Sequence, residues 1–241
     1  SDEYEKIPFG YKGDIYLEIT SRSFNTFLKK GDSLNQMRLV NLSNNFVSDK
    51  NLSNFHSKYP IIFENNKFVK NPLFESGLKV GVDLNNKDDF IAYKAKNVTR
   101  VLNFSKKNKH KISDFWKPIK SKKKHLTIHP KEFFILKSKQ KIRVPKNMAA
   151  EMIPYDTSLG DFRVHYAGFF DPGFGDPNGS FAVMEIRTNE VPFNLEDGQN
   201  IARLIYEKLN KPTKVAYGDH INSNYQNQGL ALSKHFNIKS K

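Results

Sequence analysis

Hydrophobic and polar residues alternate along several short stretches of this chain. Residues 15–19, 80–84 and 181–186 show this pattern. Successive side chains of a β-strand point to opposite faces, so a period of two predicts strands with one buried face. β-branched and aromatic residues are plentiful, and glycine or proline recurs at short intervals. The pattern predicts a mostly β chain.

One segment shows a different period. Ile201, Leu204, Ile205 and Leu209 lie at the spacing of one face of an α-helix, within residues 198–209. From periodicity alone, this segment is predicted as a short helix.

Two stretches of the chain share one spacing of glutamate, leucine and glycine. They are Glu18, Leu28 and Gly31 in the first stretch and Glu185, Leu195 and Gly198 in the second. An aromatic-glycine pair precedes each stretch. A shared spacing of this kind indicates two copies of one β-domain.

The two copies differ in length, because Glu18 lies near the start of the chain and Glu185 follows a long stretch from Gly77. A β-barrel cannot close on its last few strands alone. We therefore expect the first domain to be truncated, with its other strands in a separate N-terminal fragment or in a partner. The predicted division is residues 1–75 for the end of the first domain plus a connector, and residues 76–241 for a complete second domain. The apolar residues expected to face the absent strands are Ile15, Leu17, Ile19 and Leu34.

The composition excludes several kinds of site and segment. The chain has 241 residues, a mass of 27.9 kDa and no cysteine. This excludes disulfides, thiolate nucleophiles and the zinc type of nucleobase deaminase, which needs cysteine ligands. No apolar run has the length of a membrane span, and the acidic first residues do not resemble a secretory signal. A cytoplasmic protein with no membrane partner is expected.

The net charge is +14, from 39 Lys+Arg and 25 Asp+Glu. Many lysines lie between Lys106 and Lys124, opposed only by Asp114. Such a cluster fits polyphosphate or nucleic-acid binding. The alternative, a solvated lysine-rich loop, is the favoured interpretation. Its aromatic residues, Phe115 and Trp116, are adjacent rather than interleaved, which suits base stacking poorly. Nucleic acid is therefore not expected as a partner.

Asp171, Pro172 and Gly173 predict a tight turn, because proline fixes φ and glycine accepts a positive φ. A strand entering this turn and a strand leaving it would form a hairpin. Its backbone groups could hydrogen-bond a flat base. The alternative is an ordinary hairpin that binds nothing.

Glu185 follows this turn and, with a period of two, shares a strand face with Phe181 and Val183. A carboxylate on an apolar face is desolvated and its pKa rises. A general base and acid that works near neutral pH needs such a pKa. The alternative is an outward-facing glutamate paired with a lysine or arginine, and Arg187 is close by.

The run from residue 164 to residue 186 resembles the dCTP deaminases of the dUTPase-like superfamily. The matching features are an alanine, an Asp-Pro-Gly-aromatic turn and an apolar pair before a glutamate, here Ala167, residues 171–174, Val183, Met184 and Glu185. Residues 225–229 are similar to the family's Tyr-x-Asn-Gln-Gly tail. The chain looks closest to the two-domain deaminases of α-proteobacterial type.

The resemblance implies an all-β fold, a distorted jelly-roll β-barrel (β-clip) that usually assembles in threes. It makes residues 198–209 largely strand, and we follow it over the helical prediction, because tertiary context overrides local periodicity. It implies dCTP as substrate, a homo-oligomer, and Mg²⁺ held by the triphosphate rather than by a protein site.

The resemblance also implies roles for single residues. Glu185 would be the catalytic base that activates water for the conversion of dCTP to dUTP and ammonia, a step of pyrimidine deoxynucleotide biosynthesis. The implied substrate contacts are Ala167, Asp171, Val183, Met184, Tyr217 and Gln228.

One stretch departs from the family. Its members bind phosphates with a Gly-Arg-Ser-Ser run and a further arginine, whereas residues 153–160 here lack both the arginine and the serine pair, and Asp156 would repel phosphate. We expect the phosphate-binding residues in the missing half of the first domain, outside this sequence, so that the site is shared between domains. Two other functions remain open: a dUTP pyrophosphatase or bifunctional deaminase, and a non-catalytic nucleotide- or nucleic-acid-binding barrel.

Overall fold

The computed structural model describes residues 6–40, 45–85, 90–120, 123–154, 162–165, 168–188, 190–219 and 229–237. Within these ranges the chain is mainly β, as the alternating pattern predicts, with helices α1 (Asp49–Lys58) and α2 (Ile112–Phe115). The strands are β1 (Asn25–Phe27), β2 (Ile62–Glu64), β3 (Lys67–Phe68), β4 (Leu78–Gly81), β5 (Ala92–Ala95), β6 (Val101–Asn103), β7 (His110–Lys111), β8 (Trp116–Ile119), β9 (His125–Ile128), β10 (Phe134–Ile142), β11 (Met148–Pro154), β12 (Phe162–His165), β13 (Phe169–Phe170), β14 (Ser180–Thr188), β15 (Phe193–Glu196), β16 (Asn200–Lys208) and β17 (Phe236–Asn237). No helix in these ranges is both long enough and apolar enough to cross a membrane.

The largest sheet within the described ranges carries β14 near its edge. Its order is β12-β14-β10-β2-β3, with β5 paired to β10 and β8 paired to β5. Strands β12 and β14 are antiparallel, as the predicted hairpin requires. Their connection contains β13, which pairs instead with β11 in a second sheet. The hairpin is therefore wider than a simple two-strand turn.

The second sheet has the order β13-β11-β16-β4. Strand β16 pairs with β11 from Ala202 to Lys208, so the helical prediction from local periodicity is wrong and the strand implied by the resemblance is confirmed. Ala202, Leu204 and Tyr206 are buried, whereas the residues between them are half-buried. This alternation shows that pairing with β11 and β4, rather than local spacing, decides the structure.

The main core lies between these sheets and includes the segment that follows the first copy. Leu52 of α1 and Ile61 are fully buried in it. The imidazole of His56 is hydrogen-bonded at both nitrogens, since Nε2 lies 2.6 Å from the carbonyl oxygen of Val69 and Nδ1 accepts the Ile61 N–H at 3.2 Å. The segment between the two copies, which the predicted division places in the connector within residues 1–75, therefore packs against the core of the barrel.

A second, aromatic core joins the N-terminal segment to the barrel. Phe24 is buried, and its ring centroid lies 5.1 Å from those of both Phe115 and Trp116 and 6.3 Å from that of Phe236. Strand β1, which begins after Phe24, pairs in parallel with β6. Edge-to-face packing of these rings fixes this segment against the barrel.

The strand expected within residues 15–19 is not formed. This stretch has no regular secondary structure, and its apolar side chains at Ile15, Leu17 and Ile19 are at least half exposed. No strand in the described ranges lies beside it to complete a backbone ladder. The first copy instead contributes β1, and Arg38 ties its far end to the barrel through an ion pair with Glu207 at 2.7 Å.

Candidate active site

A cleft of about 1080 Å³ opens where the aromatic core meets the face of β14. Three parts of the chain line it: the barrel around β14 and the Asp-Pro-Gly turn, the N-terminal segment, and the residues before β17. The lining residues used below are Leu17, Glu18, Arg22, Asp171, Val183, Glu185, Tyr217 and His235.

Glu185 lies on β14, and its side chain faces this cleft. The strand alternates between fully and half-buried positions, with Phe181, Val183 and Glu185 on the half-buried face, as predicted. No hydrogen bond or ion pair joins the Glu185 carboxylate to the described residues, so the alternative of a pair with Arg187 is not realised there. Burial in this position raises the pKa of Glu185 to about 7.

The Asp-Pro-Gly turn forms one end of the cleft. The Phe174 N–H donates to the carbonyl oxygen of Asp171 at 3.0 Å, which closes the predicted tight turn. Gly173 has φ +96°, a value that favours glycine. Burial raises the pKa of the Asp171 carboxyl above its ordinary value. Asp171 is therefore a partly desolvated acceptor at the cleft wall.

Tyr217 is distant in sequence but packs directly on this turn. Its backbone N–H donates to the carbonyl oxygen of Pro172 at 2.8 Å, and its ring lies 5.8 Å from that of Phe174. A Cβ at Gly173 would lie 2.6 Å from the Cβ of Ala216. Because only glycine permits this approach, the turn and Tyr217 form one wall of the cleft.

The two residues before Glu185 point in opposite directions. Val183 is half-buried, lines the cleft and packs against the aromatic core. Met184 is fully buried in the main core, opposite Leu136. This follows from the period of two along a strand. Only the backbone of Met184 can reach a ligand in the cleft.

Two of the predicted substrate contacts, Ala167 and Gln228, lie outside the described residues. The same holds for the tail motif up to residue 228 and for most of the stretch that departs from the family's phosphate site, from residue 155 onward.

The sequence did not identify the residues that form the wall facing β14. Leu17 and Glu18 line it from the N-terminal segment, and His235 lines it from the residues before β17. For the N-terminal segment the internal repeat was a usable signal, because it places Glu18 at the position that Glu185 has in the second copy. No sequence signal singled out His235.

His235 is buried beside the cleft. Its ring stacks on Phe104 at 4.4 Å, and its Nδ1 lies 3.1 Å from the Ser233 hydroxyl. Burial lowers the pKa of His235 below its ordinary value. Burial therefore disfavours a positive charge on this ring.

The lysine cluster lies elsewhere. A separate depression of about 430 Å³ is lined by Arg100, Lys109, His110 and Lys111, and Arg100 pairs with Asp114 at 3.0 Å. No lysine in the described ranges lines the cleft at Glu185. Within those ranges, also, no three His, Asp or Glu side chains are grouped so as to hold a metal ion.

Comparisons with known proteins identify the family of the chain. The C-terminal domain model of 2'-deoxycytidine 5'-triphosphate deaminase matches residues 48–236, and the N-terminal domain model of the same family matches residues 1–43. A crystal structure of 2'-deoxycytidine 5'-triphosphate deaminase from Agrobacterium tumefaciens superimposes with a TM-score of 0.65 and 37% identity. That match covers 71% of this chain and 50% of the other.

Curated relatives include two archaeal proteins named dCTP deaminase, dUMP-forming. The one from Halobacterium salinarum is 33% identical over 104 residues, 42% of this chain and 51% of the relative. The one from Methanobrevibacter smithii is 30% identical over 105 residues, 42% of this chain and 52% of the relative. The chain thus spans about half the length of the curated relatives that it matches. With a family model matched over most of its length, this chain belongs to the dCTP deaminase family of enzymes, which has the dUTPase-like β fold.

Proposed function

We propose that this chain carries the active site of a dCTP deaminase, which removes the 4-amino group of the cytosine base by hydrolysis. The observation that carries the proposal is Glu185, a partly buried carboxylate with a pKa of about 7 that faces the cleft. A group of this pKa accepts and returns protons at neutral pH. Membership of the dCTP deaminase family supplies the substrate.

Glu185 acts first as a base. It takes a proton from a water molecule while the water oxygen attacks C4 of the cytosine ring. The resulting carboxylic acid delivers this proton to N3, which gives a tetrahedral intermediate with a hydroxyl group on C4. The Glu185 carboxylate then takes the proton of that hydroxyl and passes it to the amine, and ammonia leaves as the C4 carbonyl forms. Proton transfer of this kind contributes roughly 10²–10⁴-fold to the rate.

The surrounding residues hold the nucleotide. Val183 offers an apolar surface for the base, and the backbone around Met184 offers hydrogen-bonding groups beside Glu185. Asp171 is an acceptor suited to a deoxyribose hydroxyl, and Tyr217 closes the same wall. Ala167 and Gln228 are assigned to substrate contact on the family resemblance. Holding water and C4 in place supplies a further part of the rate.

A second candidate function is a bifunctional enzyme that also hydrolyses dUTP to dUMP. The observation that favours it is the name of the curated relatives, which are dUMP-forming. That reaction needs a second water beside the α-phosphate. For both reactions we propose that Mg²⁺ enters the site bound to the triphosphate oxygens of the substrate. The carboxylates of the cleft then need not coordinate the metal ion.

We also propose that the chain functions in a homo-oligomer of barrels. The support is the exposed apolar surface of the N-terminal segment, with Ile15, Leu17 and Ile19 each half exposed or more. Apolar patches of this kind mark contact surfaces. The occupant proposed for it is a set of strands from a further copy or fragment of the same protein, as the two-domain division of residues 1–75 and 76–241 implies. Light scattering of the purified protein tests the assembly.

The decisive experiment is incubation of the protein with dCTP and, separately, with dUTP. Release of ammonia with dUTP as the product identifies the deaminase, and dUMP with pyrophosphate identifies the bifunctional enzyme. Hydrolysis of dUTP alone identifies a pyrophosphatase. Binding of dCTP without any product would contradict the proposal and leave a non-catalytic nucleotide-binding barrel.

A further inference from the structure

The cleft has an unusual balance of charge for a site that takes a triphosphate. Glu18, Asp171 and Glu185 line it, and all are acidic. Arg22 is the one arginine or lysine among its described lining residues. Phosphate oxygens need charge-assisted donors, and the guanidinium of arginine binds them with two parallel hydrogen bonds. The triphosphate therefore has a single cationic partner to meet in the described part of the cleft.

Arg22 is held at the cleft by its neighbours. Phe24, two residues further on, is buried in the aromatic core. The Ser21 hydroxyl donates to the carbonyl oxygen of Phe24, which closes a small turn around Arg22. Strand β1 then continues into its pairing with β6. The backbone at Arg22 is thus fixed, which reduces the entropy lost when its side chain binds a ligand.

The Arg22 side chain is available for binding. It is exposed, and no ion pair or hydrogen bond joins it to another described residue. Arg38, in the same segment, is by contrast taken up by Glu207 and Glu151. Ser21 and Ser23 also line the cleft on either side of Arg22. The Ser21 hydroxyl is used in the bond to Phe24, so the Ser23 hydroxyl is the one that accompanies the guanidinium.

From this arrangement we infer that residues 21–23, Ser-Arg-Ser, are the phosphate-contacting edge of the cleft. Arg22 binds the phosphate oxygens through its guanidinium, and the Ser23 hydroxyl adds a neutral hydrogen bond. The first copy of the repeat thereby supplies to the second an arginine and a serine of the kind that residues 153–160 lack. The inference rests on the proposed function for the identity of the ligand, a pyrimidine deoxynucleoside triphosphate.

The test compares binding of dCTP with binding of deoxycytidine, which lacks phosphates, by calorimetry of the full chain. The variants are Arg22→Ala, Arg22→Lys and the control Arg100→Ala, an exposed arginine of the separate basic depression. Arg22→Ala should weaken dCTP binding by about tenfold or more and change deoxycytidine binding by less than about twofold. Arg22→Lys should recover only part of the loss, because a lysine cannot bind bidentately. Arg100→Ala should leave both affinities unchanged.

The outcomes separate this inference from the proposed function. An unchanged dCTP affinity in Arg22→Ala, or equal losses for dCTP and deoxycytidine, overturns the phosphate role while leaving deamination standing. A selective loss of dCTP affinity in a protein that releases no ammonia supports the phosphate role and overturns the deaminase. A larger loss with Arg100→Ala than with Arg22→Ala places the phosphates in the other depression and overturns the inference.

Discussion

The backbone N–H of Tyr217 donates to the carbonyl oxygen of Pro172 over 2.8 Å. This hydrogen bond joins the Asp-Pro-Gly turn to a residue that the sequence places well beyond it. Both predicted substrate contacts at this end, Asp171 and Tyr217, are thereby held on one wall. The site depends on this close approach as much as on the side chains that face the cleft.

Gly173→Ala should disrupt this wall. The new Cβ would lie 2.6 Å from the Cβ of Ala216 and 3.0 Å from the backbone nitrogen of Tyr217, at a φ of +96°. Strain and overlap together should cost about 2–4 kcal/mol of unfolding free energy. Thermal denaturation measures the loss. Gly168→Ala is the control for stability, because nothing lies within 4 Å of its Cβ, and an equal loss there would contradict the packing argument.

Glu185→Gln should abolish deamination while dCTP binding is retained. Glutamine keeps the shape of the side chain but cannot accept a proton, so the rate should fall by about 10²-fold or more. Ammonia release and calorimetric dCTP binding are the two measurements. Glu196→Gln, at an exposed position on β15, should behave as wild type. A Glu185→Gln variant that keeps a tenth of the activity would show that another group is the base.

The pH dependence of kcat/KM should show an acidic limb near pH 7. Only the carboxylate form of Glu185 can take a proton from water, and burial raises its pKa to about 7. Below that pH, kcat/KM should fall about tenfold per pH unit. A limb near pH 4.5, the ordinary value for a glutamate, would contradict the burial of this group.

The same pKa predicts how stability changes with pH. The folded state favours the protonated carboxyl, because the folded pKa of about 7 exceeds the ordinary glutamate pKa of 4.5. The stabilisation from this proton is fully present below pH 4.5 and is lost as the pH rises through about 7. In denaturant titrations between pH 4.5 and about 7, the unfolding free energy of wild type should fall by up to about 3 kcal/mol relative to that of Glu185→Gln. If the unfolding free energies of the two proteins changed with pH in parallel, the raised pKa of Glu185 would be contradicted.

Phe24→Ala should release the N-terminal segment from the barrel. Removal of a buried aromatic side chain lowers the unfolding free energy by about 3–5 kcal/mol. Here it removes the contacts of Phe24 with Phe115 and Trp116. Limited proteolysis should then cleave between residues 25 and 40 faster than in wild type. Phe27→Ala removes a side chain that is 49% exposed and should leave the cleavage rate unchanged.

The sequence predicted the elements that local chemistry decides. The Asp-Pro-Gly turn, the period of β14 and the orientation of Glu185 all follow from residue type and spacing. Strand β16 was ambiguous, because Ile201, Leu204 and Ile205 fit a helix as well, and only pairing with β11 resolves it. The expected strand within residues 15–19 does not form, since a strand also needs a neighbour.

The facing wall of the cleft could not be predicted, because long-range packing creates it. His235 lines the cleft because its neighbour Phe236 packs into the aromatic core. Arg22 lines the cleft because Phe24, two residues further on, packs into the same core. Neither contact has a periodic signature. The repeat indicated that Glu18 corresponds to Glu185, but it did not show that the first copy would lie across the cleft of the second.

The aromatic core that joins Phe24 to Phe236 also sets an order of events during folding. It brings together residues near the two ends of the described chain, so a very long loop must close before the contact forms. During synthesis, the barrel strands that carry Glu185 leave the ribosome before the segment that contains Phe236. The barrel strands can therefore pair before the residues around Phe236 complete the facing wall of the cleft.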